Sequence, residues 1–560
     1  VTTPAIVSSF SALDAAIAVL SLAATLAIGL GVKRYIGSIE DYLVASRGMG
    51  LYIGAASLLS TEVGIITYMY QAQFGFVAGF SAFVTGLITL AVCLAVGRSG
   101  FVIGRLRELE ILTVPEYFET RYGRRVRVLA GLLMAFGGSL NLGIFPIIEA
   151  RFLAIVTGIP PAYLGWTMAA LLLVALVYTA IGGMVSLIVT NYVQYVFLAA
   201  GTLIVTAACL REVGWTPMVR AVEQQLDGRG FDPIADFGVG FVVWQVLLWI
   251  ALMTVWQSVA MRTFSTKDTA VGRRMFTLTG FLFLGRAVIP MAWGIAALGF
   301  FHARSQPAPE PKAAQVELAG AGLGGTFQAD LDSGRIPQAL ARVELTERQA
   351  RDPNADPLQA ERLSRAARAG REEIGLVAMP WMLAAVLPTG LVGLIVAGML
   401  AASVSTYAGY FLGWAGVIAQ DVAAPLAGRE LSGTARLRLT RVTVVALTLF
   451  IMVWSLVYDL PGPAYFYLQV TANLFMAPTL VAVVGGLYWR AASAAGAVAS
   501  FVLGAAASLA YLVPRLGLDV AEAGNLSWAL AVGGFVIASL LWPDRRPASP
   551  SRGAAQEVRG

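Results

Sequence analysis

The chain has 560 residues, 58% of them hydrophobic and only 13% charged, with a formal net charge of +6. It is too apolar and too sparsely charged for an ordinary soluble domain, which excludes a soluble enzyme and leaves the charge as a membrane-orientation signal, with no nucleic-acid partner expected. A single histidine, His302, and two cysteines, Cys93 and Cys209, both within apolar runs, argue against a transition-metal site.

Apolar runs of about 20 residues recur along the chain, each long enough to cross roughly 30 Å of hydrocarbon. They predict an all-α integral membrane protein with thirteen transmembrane helices, at 10–32, 50–75, 79–100, 128–155, 161–181, 185–210, 238–261, 275–301, 379–411, 439–459, 463–488, 492–514 and 526–543. The first run has no basic leader and is long for a signal peptide, so it is expected to be retained.

Basic residues collect in loops that share one side: Lys33, Arg34 and Arg47, then Arg105, Arg107, Arg121, Arg124, Arg125 and Arg127, then Arg262, Lys267, Arg273 and Arg274, with the Arg545-Arg546 tail. That side is expected to be cytoplasmic, which puts the N-terminus outside and the C-terminus inside a cell membrane. The Arg124–Arg127 run reads as a topology anchor that also meets anionic headgroups.

Within the second span, Gly54–Gly64 mixes small residues with Ser57, Ser60 and Thr61 and sets Glu62 at membrane depth. It reads either as a broken helix or as a kinked, close-packed one. Glu149 and Arg151, two residues apart, point to different faces, which suits a structural role or an outer-gate ion pair. Arg286, four residues before Pro290, is a permanent cation inside an apolar span and demands a partner. A substrate carboxylate and a buried acid such as Glu62 fit equally.

The stretch 303–377 opens with the proline-rich 306–311 and is read as an outer insertion, either a tolerated surface loop or a ligand-capturing cap. Farther on, 398–409 clusters Ser403, Ser405 and Thr406 in an otherwise apolar helix. Such hydroxyls either bond back to their own helix or face a polar site.

Five segments together resemble the sodium/solute symporter family. They are 41–47 (DYLVASR), 113–123 (TVPEYFETRYG), 178–183 (YTAIGG) with 190–194 (TNYVQ), the hydroxyl-rich segment around Ser405, and 486–490 (GLYWR) with Gly496-Ala497. The resemblance implies the leucine-transporter type of fold: two inverted five-helix repeats plus flanking helices. The units would be 1–49, an extra helix and loop; 50–211, core helices 1–5; 212–488, core helices 6–10 with the insertion 303–377; 489–543, two further helices; and 544–560, a tail.

By the same resemblance, the first helix of each repeat is broken near the bilayer midplane. Sodium would be held by the carbonyls of Ala56, Leu59 and Ala402 and the hydroxyls of Ser405 and Thr406. Ser405 and Thr406 follow Ala402 by three and four residues and so share its helix face. Where the family has Asp, this chain has Asn191 on the ion path, which removes a carboxylate and bears on stoichiometry and on sodium dependence.

Substrate would meet Ser60, Glu62, Val63, Met253, Gln257, Arg286 and Gln469. Leu58, Val63, Trp249, Leu252 and Met253 predict apolar walls that disfavour a hexose. The implied function is sodium-coupled symport of a small organic solute, best a monocarboxylate or an amino acid, with sodium as coupling ion, no cofactor and no enzymatic chemistry. Coupling to another cation, or a membrane receptor on a transporter-like fold, is the alternative.

Overall fold

In hydrocarbon a backbone must satisfy its own hydrogen bonds, so long apolar runs fold as helices. The computed structural model describes residues 8–32, 39–226, 228–304, 323, 325–352, 356–427, 431–458, 462–511 and 518–544. Lys33, Arg34, the stretch 306–311 and Arg545-Arg546 lie outside these. Among the described residues, twelve stretches are long and apolar enough to cross a membrane.

The long helices are α1 (Ala12–Val32), α2 (Leu51–Thr61), α3 (Ile65–Ala78), α4 (Phe83–Ser99), α5 (Arg124–Gly143), α6 (Phe145–Thr157), α7 (Leu164–Val213) and α8 (Pro233–Val255). There follow α9 (Gln257–Ser265), α10 (Thr269–His302), α11 (Pro357–Val386), α12 (Leu391–Val417), α13 (Gly433–Val457), α14 (Ala464–Tyr488), α15 (Ala494–Tyr511) and α16 (Val520–Leu541). The fold is all-α.

One apolar stretch, Ile65–Ser99, is two crossings. A Cβ on Gly54 or Gly75 would strike Met275 or Met291, whereas Gly86 faces Val288 and Gly97 faces Thr277. The chain therefore runs with α10 through α2 and α3 and against it through α4, reversing at Gly79, whose φ of 61° suits glycine. Counting α2 and α3 as one interrupted crossing recovers thirteen. The contacts are close because small residues let helices approach: a Cβ on Gly294 would lie 1.9 Å from the Ala72 carbonyl.

Two crossings are interrupted at matching places. The α2–α3 crossing breaks at Glu62–Gly64 and the α8–α9 crossing at Trp256. They run in opposite senses: the Met49 amide, at the start of α2, donates to the Ser265 carbonyl at the end of α9 (2.9 Å). This is the inverted-repeat relation, with a break in the first helix of each repeat. The sixth crossing joins the fifth in one helix, α7, interrupted only at Gly183 (φ 52°, ψ −161°).

One boundary differs from expectation. The span placed at 379–411 begins instead at Leu391, and residues 379–386 close α11. Apolar residues run through both helices, so hydropathy hides the turn at Pro388–Gly390; Gly390, at φ +89°, was the signal. Asp14 of α1 then caps α12, accepting from the amides of Gly390 (2.7 Å) and Gly393 (2.6 Å).

The insertion 303–377 is largely helical where described, with Gly325–Asp332, Ile336–Ala350 and α11. It is held by Arg371 on Glu347 (3.0 Å), by Gln225 on Glu344 (2.9 Å), and by Gln73 of α3, which donates to the Glu372 carbonyl (2.9 Å). At the opposite end, Arg107 donates to the Thr266 carbonyl (2.8 Å) and Arg121 to the Ala492 carbonyl (2.8 Å), so these arginines staple loops together.

Candidate functional site

The first break is polar because its residues are. Once α2 stops at Thr61, the Glu62 carbonyl is free of the helix and accepts from Arg286 Nε (2.7 Å) and the Thr67 hydroxyl (3.1 Å). The first amides of α3 meet side chains from elsewhere: Ile65 N donates to Ser403 Oγ (3.0 Å) and Ile66 N to Glu149 Oε1 (3.3 Å). Ser403 also donates to Glu149 (3.0 Å), so a fully buried carboxylate sits on the positive end of a half-helix.

Of the two readings of Glu149, this geometry fits the structural role and not the outer-gate pair. Among the described residues no salt bridge joins it to Arg151, and the carboxylate faces the Tyr407 hydroxyl. No local sequence signal could have brought Glu149 to α3; only the tertiary fold does.

Beside the break, α2 and α12 meet through hydroxyls. Ser405 Oγ lies 3.2 Å from the Ser60 carbonyl, 3.4 Å from Ser60 Oγ and 2.6 Å from Asn191 Oδ1. The Asn191 amide donates to Thr61 Oγ1 (3.1 Å) and lies 3.4 Å from both Ser57 oxygens. Thr406 Oγ1 bonds back to the Ala402 carbonyl (3.0 Å), and a Cβ on Gly64 would come within 3.0 Å of it. The Leu59 carbonyl accepts from Glu62 N (3.0 Å), and Ala56 lies one turn earlier; both are buried. All these oxygens are neutral.

A cavity of about 70 Å³ lies next to this cluster, towards Ala78. Glu62, Tyr70 and Arg286 border it on one side, Trp249 and Trp256 on another, and Tyr410, Tyr465 and Gln469 close the rest. Arg286 donates from Nη2 to the Tyr70 hydroxyl (3.0 Å), and Nη1 makes no hydrogen bond among the described residues. Glu62 Oε2 accepts from the Tyr410 hydroxyl (2.8 Å), while Oε1 is buried without a partner. The expected ion-pair alternative fails in detail: Arg286 binds the Glu62 carbonyl, and no salt bridge within 4.0 Å joins the two side chains among the described residues.

Aromatic rings flank the cavity along the membrane axis. Phe74 stacks on Tyr465 at 4.3 Å on one side, and Trp256 stacks on Phe475 at 5.6 Å with Trp414 edge-on at 5.2 Å on the other.

Of the residues expected to meet substrate, Glu62, Arg286 and Gln469 line the cavity. Ser60, Val63, Met253 and Gln257 do not. Ser60 faces Ser405, Met253 packs its sulfur on Cys93 (3.3 Å), and Gln257 accepts from the Val114 amide (3.1 Å). Of the residues expected to form apolar walls, Trp249 and Leu252 line the cavity with Leu248 and Met476, whereas Leu58 lies elsewhere; Thr67, Tyr70 and Asn141 add polar groups. Arg262, counted as a loop residue, is instead fully buried, donating to the Ser258 carbonyl (3.0 Å) and Thr61 Oγ1 (2.5 Å). The helical spacing of Ser258 and Arg262 was the overlooked cue.

A model of the sodium:solute symporter family matches residues 42–319 and 364–504. The sodium/glucose cotransporter of Vibrio parahaemolyticus is 22% identical over 511 residues, covering 88% of this chain and 83% of that protein. A sodium/mannose cotransporter of Bos taurus is 25% identical over 521 residues, covering 89% and 79%. The mouse sodium/glucose cotransporter 4 is 28% identical over only 219 residues, 38% of this chain and 31% of that protein. Among solved structures, a Na+-coupled sialic acid symporter in a substrate-bound outward-open state superposes with a TM-score of 0.73 at 17% identity, covering 96% and 100%. That likeness concerns the fold.

Proposed function

The chain belongs to the sodium:solute symporter family and is a sodium-coupled secondary transporter of a small organic solute, not an enzyme; from that premise we propose that its solute is a small zwitterion of the amino-acid type. One observation carries this reading. A single small cavity is lined by both Glu62 and Arg286; among the described residues Glu62 Oε1 is buried without a partner, and the guanidinium is bonded through Nε and Nη2 with no bond from Nη1. An ammonium on the first and a carboxylate on the second would satisfy both. The cavity is well below the roughly 300–1,000 Å³ of drug-sized sites, which also favours a small solute.

Sodium is then held by the carbonyls of Ala56, Leu59 and Ala402 with the hydroxyls of Ser405 and Thr406, and Asn191 borders its path. The contact of Ser60 with Ser405 supports this assignment, because it sets α2 against α12 through neutral oxygens that can replace a hydration shell. The repeats would be 50–211 and 212–488, with the arginine-rich end cytoplasmic and the N-terminus outside. Sodium bridging α2 and α12 fixes the break, so the solute binds between the separate Glu62 carboxylate and Arg286 guanidinium, and both sodium and solute are released inward. Each charge moved inward gains about 2.3 kcal/mol per 100 mV.

A hexose is the second reading, favoured by Gln469 and Asn141 in the cavity wall and by what the glucose and mannose relatives are named for. Purified protein in liposomes under an inward sodium gradient decides between them. Sodium-dependent, saturable uptake of labelled amino acids supports the zwitterion. Uptake of glucose that excess amino acid leaves unchanged overturns it.

A further inference from the structure

A groove of about 880 Å³ opens on the outer surface of the bundle between the start of α5 and helices α15 and α16, far from the transport cavity. Its upper rim carries Arg124 and Arg125, both exposed and without an ion pair among the described residues. Its floor is made of alanines, and its walls are Val498, Val502, Leu503 and Trp542, all more than a third exposed. The arginine run divides here, since Arg127 turns inward to Asp421 (2.8 Å) and leaves only its two predecessors facing out.

We propose that this groove holds one anionic phospholipid, its phosphate on Arg124 and Arg125 and an acyl chain along α15. Two features exclude a merely greasy surface. From Ala494 to Leu503 the helix rises about 13 Å, close to the depth of one leaflet, so the groove has the length of a chain that starts at a headgroup. Arg124 and Arg125 start α5 at the headgroup end, and a guanidinium presents the planar pair of donors that phosphate prefers. The nearby carboxylate, Asp544, is already engaged by Arg121 at 3.9 Å and by the Ala494 amide at 3.2 Å.

The test uses the purified full chain, delipidated in detergent. Phosphatidylglycerol and phosphatidylcholine are offered in equal amounts and counted by native mass spectrometry, with thermal stability measured beside inorganic phosphate alone. One phosphatidylglycerol should be retained about tenfold over phosphatidylcholine. Arg124→Ala with Arg125→Ala should erase the preference, and Val502→Trp, which fills the groove, should remove the lipid with both arginines in place. Equal retention of the two lipids by the natural chain, or stabilisation by phosphate alone equal to that by lipid, overturns the proposal.

Discussion

The two interruptions occupy equivalent places in the inverted repeats and are built from opposite materials. The α2–α3 break spans three residues, Glu62–Gly64, and is surrounded by Ser60, Thr61, Ser403, Ser405 and Thr406. The α8–α9 break is one residue, Trp256, whose ring packs among Tyr410, Trp414 and Phe475. Repeat symmetry supplies the same bend twice, and side chains decide what each does. A break with freed oxygens can hold ions and solute, and one plugged by an indole can only form a wall that moves.

The sharpest way to break the comparison is to remove the hydroxyls of the polar side. Ser405→Ala with Thr406→Ala should abolish sodium stimulation of uptake, a loss of at least about 100-fold, since two of five oxygens vanish from a site with no countercharge. The fold should persist, because the changes remove only two hydroxyls and one methyl group. Uptake that still responds normally to sodium would show that the ion binds elsewhere.

Next in size is Arg286→Ala. A hydrogen bond to a charged group contributes about 1.5–3 kcal/mol, so losing the guanidinium should cut solute uptake roughly 10- to 100-fold. Arg286→Lys should recover part of it, as one ammonium cannot reach both the Glu62 carbonyl and the Tyr70 hydroxyl. Binding of labelled sodium to the detergent-purified variants separates the two sites: sodium affinity should stay within a few-fold.

On the aromatic side, Trp256→Phe should leave sodium affinity unchanged and slow maximal uptake by a few-fold, read from initial rates at saturating solute. A sodium affinity that falls as far as it does for the Ser405 variant would mean that both breaks share the ion site, and the contrast drawn between them would fail.

This division also explains what was legible in the chain itself. The crossings, the membrane class and the hydroxyl segment at 403–406 follow from hydropathy and from chemistry unusual at membrane depth. Hydropathy alone could not separate α11 from α12, since apolar residues pass through the turn. The cavity wall was harder. Met253 and Gln257 lie on either side of Trp256 and were expected to face the solute, but a helix that stops and restarts loses its angular register, so periodic reasoning fails across the break. Glu149, and the bond from Arg262 to Thr61, needed the three-dimensional fold, because each acts on a helix far away in sequence.

The last test lies at Asn191, where the resemblance implies an aspartate. Its amide donates to Thr61 Oγ1 and its oxygen accepts from Ser405, so Asn191→Asp keeps the acceptor, loses the donor and adds a charge. Thr61 also receives a bond from buried Arg262, which therefore lies close enough to balance a new carboxylate. At an effective dielectric constant near 20, a charge several ångströms from a bound cation contributes a few kcal/mol before the cost of desolvation, which removes most of it. Sodium affinity should consequently rise by about three- to tenfold, measured as the sodium concentration giving half-maximal uptake. An unchanged or weaker affinity would place Asn191 outside the ion path and leave its bonds to Thr61 and Ser405 as packing between α7 and its neighbours.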